Sequence, residues 1–191
     1  MQFHYVILSL FKPFRNAEQL GPGQRFYSDR AGDILSNCIK EMRQLIHLFA
    51  YAQGFRVCTN YMIHMLVVAS YLALDEIGPR ILNDLNSTEA YASLVECIIG
   101  LGQLATKYLI AQGALKAIQI RSRDLNIDLC HRAKEAMKIV EIPGWLHNIS
   151  KRIRSQYPAD QSSSLDDPDS GRLDRLIQSW EGLSIEDSPR R

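Results

Sequence analysis

The residues able to do chemistry are few and far apart. The five histidines, His4, His47, His64, His131 and His147, fall on five separate segments. A zinc site needs Cys or His ligands at close spacing. The adjacent Cys130 and His131 point in different directions on a helix. The four cysteines, Cys38, Cys58, Cys97 and Cys130, form no CxxC pair, and each lies in or beside an apolar stripe. That placement fits reduced, buried thiols of an intracellular protein better than a disulfide framework or a catalytic thiol. His64 sits in the apolar run "YMIHMLVVASYLALDEI" and reads as a hydrogen-bonded core histidine rather than a base. "DDPD" at Asp166 to Asp169 has the composition of a divalent-metal cluster, but Pro168 interrupts it and its surroundings are those of a solvated acidic linker. "GLG" at Gly100 to Gly102 is no phosphate loop, since no strand precedes it and no Lys-Ser or Lys-Thr comes after it. No catalytic, cofactor-binding or metal-binding residue is assigned.

The elements that would position such groups are helical. Hydrophobic residues make up 46% of the 191, enough for one sizeable core with a tail to spare. The formal net charge of +1 gives no electrostatic reason to expect direct DNA contact from this chain. The short basic cluster "KRIR" at Lys151 to Arg154 reads as a solvated helix end before a nuclear address. Tyr61 to Leu74 is too short to span a bilayer and carries His64, so a buried helix is expected there and no membrane partner. "NST" and "NIS" match the glycosylation pattern at Asn86 and Asn148, but no secretion signal accompanies them.

Along the chain, "RNAEQLGPGQRFYS" reads as a loop, with Ser28 or Asp29 capping the next helix. Ile34, Leu35, Cys38, Ile39, Met42, Leu45, Ile46 and Phe49 then draw one helical stripe, ended by Gly54. A helix apolar almost all round starts near Thr59 or Asn60. Asn86 and Glu89 fit a capping box for another, whose inner face is Tyr91, Leu94, Val95, Ile98 and Ile99. Gly100, Gly102 and Gly113 interrupt the pattern lightly, and an amphipathic stretch from Leu129 to Ile142 is closed by Pro143 to Trp145. No run alternates β-branched residues. The expected class is all-α, an irregular bundle of about six helices, over residues 1–150.

Composition shifts near residue 150. "QYPADQSSSLDDPDSG" has almost nothing to bury, so residues 151–191 are expected to form a disordered tail. Within it, "LDRLIQSW" at 173–180 places Leu173, Leu176, Ile177 and Trp180 on one helical face. That face either docks into a partner's groove or folds back on the bundle.

A family pattern runs through these helices. "QFHYVILSLFKPF" resembles a helix in the regulatory region of fungal binuclear zinc-cluster transcription factors, with Phe3, His4, Tyr5, Ile7, Leu8, Leu10, Lys12, Pro13 and Phe14 in the characteristic places. Lys12 stands where the usual ending has Arg, and the usual Tyr-His order is reversed at His4-Tyr5. "CIKEMRQLIHLFAYAQGFR", "YMIHMLVVASYLAL" and "AYASLVECIIGLGQLATKYLIAQGALKAIQIRSRD" resemble the family's subsequent helices, so the likeness covers about residues 2–128. The resemblance implies transcription regulation in the nucleus through protein–protein contacts or self-association. The family's zinc cluster would lie upstream, so neither zinc nor DNA contact carries over to this chain.

The opening helix is accordingly expected to be an interior helix of a longer protein. Loss of its neighbours would leave part of the Tyr61 to Leu74 helix uncovered, and the isolated chain would aggregate or dimerise. The other readings are a free-standing helical adaptor and a small all-α enzyme using His64 or Asp166 to Asp169.

Overall fold

The computed structural model describes residues 22–56, 60–78, 89–153 and 171–186, together with residues 7, 155, 157, 158 and 169. Among these the secondary structure is helical: α1 Pro22–Ala52, α2 Asn60–Ile77, α3 Glu89–Ala105, α4 Leu109–Asp124, α5 His131–Met137, a 3-10 turn Lys138–Val140, α6 Trp145–Ser150 and α7 Leu173–Glu186. The all-α class is as the sequence implies. No helix among the described residues is long and apolar enough to cross a membrane. The family-like helix at 2–14 falls outside the described residues except for Ile7, as do Asn86 and the segment 79–88.

The chain divides into two units, Met1–Ala52 and Gln53–Arg191. In the first unit, α1 begins at Pro22, earlier than the cap expected at Ser28 or Asp29. Proline suits a first helical position, where its missing N–H would have no partner anyway. Ala31, Leu35, Cys38, Met42 and Ile46 form the buried stripe of α1, at steps of three and four. Burial, reinforced by Glu41, raises the Cys38 thiol's pKa and keeps it protonated. After α1 the chain turns at Gly54, whose φ is +66°.

The second unit is built around α2, which packs on α3 and α4; α3 in turn packs on α4 and α5, and α7 lies on α4 and α6. In α2, Met62, Ile63, Met65, Leu66, Val67, Val68, Ala69, Tyr71, Ala73, Leu74 and Ile77 are all buried. The uncovered apolar surface expected on this helix is therefore absent; only Tyr61 among its large apolar residues is exposed, at 38%. Cys97 is buried in α3 and Cys130 is half-buried, both as free thiols.

Further boundaries differ from the sequence reading. The stretch from Leu129 to Ile142 is a short helix and a 3-10 turn, and Trp145 opens α6 rather than closing the segment before it. Gly100 and Gly102 do not break α3, which runs through both. Gly102 permits close helix packing: a Cβ there would stand 2.9 Å from the Ala136 Cβ of α5.

Helix α7 extends the expected 173–180 segment to Glu186, and its apolar face turns inward. Leu173 and Ile177 are 0% and 2% exposed and Trp180 is 8% exposed, while Leu176 is half-buried. The face is spent on the chain's own bundle, the second of the two arrangements open to it. Its start is anchored by backbone bonds from Leu173 N–H to Tyr157 O (2.8 Å) and from Asp174 N–H to Ser155 O (3.1 Å), which satisfy amides that a helix N-terminus leaves open. Leu173 seats over Gly113 of α4, where a Cβ would overlap Leu173 Cδ1.

This seat generates a signed test. Gly113→Ala should lose about 1 kcal/mol net, because overpacking of about 1–3 kcal/mol outweighs the roughly 0.8–1.0 kcal/mol that Ala gains over Gly in a helix. In a Leu173→Ala background the clash is gone, and the same change should stabilise. A urea-melt double-mutant cycle measures both signs.

Candidate functional site

The residues singled out in the sequence lie in separate places. His64 of α2 meets Tyr157, with Nδ1 3.2 Å from the phenol oxygen and the rings edge-on at 85°, centroids 5.9 Å apart. Burial lowers the His64 pKa and favours the neutral ring. Asp169 pairs with Arg172 (3.3 Å), whose guanidinium also forks onto Asp174 at 3.2 and 2.9 Å. Asp166 and Asp167 lie outside the described residues. Among the described residues no group of three or more His, Cys, Asp or Glu could hold a metal ion. Tyr157 and Arg172 flank the anchored start of α7, so both pairs brace that helix.

The surface feature with the clearest chemical character is a groove of about 660 Å³ between the end of α3 and α5. Its floor is apolar, from Ile99, Gly102, Ala136 and Ile139. Its rim is cationic, carrying Arg56, Lys107 and Arg132. Glu135, also on the rim, is neutralised by Lys138 at 2.6 Å, and that hydrogen bond lowers its carboxyl pKa. The rim therefore keeps a net positive charge in a chain whose overall charge is only +1.

Local bonds set this geometry. Lys107 arises where α3 ends; the N–H groups of Lys107 and Tyr108 both bond Leu104 O at 2.9 Å and turn the chain into α4. The Lys107 ammonium donates to Arg56 O at 2.8 Å, tying two rim segments together. The approach to α5 is fixed by Tyr91 of α3, whose hydroxyl donates to Asp128 O (3.0 Å) and accepts from Cys130 N–H (2.8 Å). Burial raises the pKa of this phenol, which stays protonated and able to donate. Lys134 adds an exposed pair with Asp128 at 2.7 Å. The sequence reading named none of the rim cations, because they come from three separate segments with no linear motif.

Two measurements check these arrangements. Tyr91→Phe should cost about 1–3 kcal/mol in a urea melt, because it strips a partner from the Cys130 N–H and the Asp128 carbonyl together. His64 should make stability pH-dependent. With its folded pKa below the unfolded value of about 6.5, the native state binds fewer protons. Stability is then fully present above the unfolded pKa and falls as pH drops below it, and His64→Phe should flatten that slope in melts from pH 7.5 downward.

Compared with protein-family models, curated proteins and solved structures, the chain matches none of them.

Proposed function

We propose that this chain is a regulatory module of transcription that works by protein contact, a portion of the regulatory region of a fungal binuclear zinc-cluster transcription factor acting in the nucleus. The order of its helix motifs supports the family. The observation that carries the mode of action is the groove between α3 and α5, with its apolar floor and its rim of Arg56, Lys107 and Arg132. The occupant that fits is an acidic amphipathic segment of a partner protein, laying apolar side chains on Ile99 and Ile139 while its carboxylates face the rim. Such rim charges act chiefly on encounter rate and partner choice, and they weaken with salt.

The test joins the chain to an unrelated DNA-binding domain and reads a reporter gene. The fusion should change reporter output at least severalfold. The charge-reversed variant Arg56→Glu/Arg132→Glu should return it to background with an unchanged melting temperature, because both side chains are exposed. A fusion that leaves the reporter at background overturns the regulatory reading, and a charge-reversed variant as active as the parent overturns the groove as its contact surface.

A further inference from the structure

A second groove, of about 680 Å³, runs between α4 and the segment entering α6 on one side and α7 on the other. Both tryptophans of the chain, Trp145 and Trp180, line it, with Ile120, Val140 and Ile142. Trp145 is held in place by its indole N–H, which donates to Gln112 Oε1 at 2.9 Å. Each indole is 8% exposed, while Ile142 at the rim is 58% exposed. A slot of this kind takes a flat apolar body.

Among the described residues, one lysine or arginine lines it. Lys116 of α4 is half-buried, and its ammonium bonds a neutral group, Gln119 Oε1, at 3.0 Å. Gln119 in turn donates to Glu141 Oε1 at 2.5 Å, and that carboxylate oxygen also faces Arg123 at 3.8 Å. The nearby acid is thus engaged elsewhere, and among the described residues Lys116 has no carboxylate in ion-pair range. Burial, then Arg123, lowers the Lys116 pKa, and Glu141 only partly offsets them. A half-buried ammonium with one amide partner lacks the charge-assisted bond that an incoming carboxylate would supply. Among the described residues, Glu181 lines the α7 side and His147 is the other ionisable group beside Lys116. A lining with one acid and one lysine admits a single negative charge and disfavours a second.

We propose that this groove binds a small aryl monocarboxylate, its carboxylate on the Lys116 ammonium and its ring against Trp145 and Trp180. The inference does not rest on the basic groove or on the regulatory reading. Because Trp180 belongs to α7, a bound ligand joins α7 to α4 and α6 and stabilises its docking by mass action.

The two tryptophans are the only ones in the chain, so fluorescence excited selectively at tryptophan, clear of the eight tyrosines, reports on this groove alone. The test titrates benzoate, phenylacetate and 3-phenylpropionate into the full chain, with 3-phenylpropionamide as the neutral isostere. At least one acid should give a saturable change at concentrations up to about 10 mM, well above the millimolar Kd that a fragment of this size supports. The amide should bind at least about tenfold more weakly, the difference of a lost ion pair. Lys116→Met should weaken the acid to the same degree, and Lys116→Arg should retain it, each with an unchanged circular-dichroism melt. Absence of a saturable response to all three acids overturns the proposal, as does equal binding of acid and amide. Should Lys116→Met fail to fold, the acid–amide comparison on the parent chain and Lys116→Arg still decide it.

Discussion

Everything in the second unit depends on enclosing α2. A helix with no polar face has to be covered around its circumference, and each large side chain fully withdrawn from water contributes about 1.5–3 kcal/mol. The covering helices must come close, and their inner positions are correspondingly small. Ala105, Ala111, Ala114 and Ala117 are buried along α3 and α4, and a Cβ at Gly100 of α3 would stand 3.0 Å from Leu66 Cδ1 of α2. Two polar side chains within α2 find partners of different reach. Ser70 bonds Leu66 O at 2.7 Å, one turn back, and His64 meets Tyr157.

That last contact links the core to the C-terminal helix. The carbonyls of Ser155 and Tyr157 accept the first amides of α7, so the residue that meets His64 also helps set where α7 starts. Arg172 braces the same point through Asp169 and Asp174, and Leu173 then drops onto Gly113. A short polar anchor and one close-packed leucine fix the position of a fourteen-residue helix. The position of Trp180 at the second groove is a consequence of it.

The first groove arises where the end of α3 meets α5, and the second runs along α4 and α7 beside the start of α6. The ends leave recesses lined by whatever the turns project, which is Lys107 after α3, Arg132 in α5 and Trp145 opening α6. Charge at these ends is arranged by pairing. Glu135 is neutralised by Lys138 and Glu141 is shared between Gln119 and Arg123, so among the described residues neither Arg132 nor Lys116 has a carboxylate in ion-pair range.

The sequence by itself determined the helical class, the inward stripes of α1 and α3, the all-round apolar character of α2 and the apolar face of α7, because each depends on residue spacing that is local to its segment. It also marked His64 as a hydrogen-bonded core residue, since an apolar helix offers an imidazole little else. Only the tertiary structure decided that the α7 face is spent on the bundle, because that required knowing that Gly113 leaves room for Leu173, sixty positions on. The grooves were equally illegible. Arg56, Lys107 and Arg132, or Lys116, Trp145 and Trp180, become neighbours through packing of separate helices, and no periodicity within one segment encodes a distance between two.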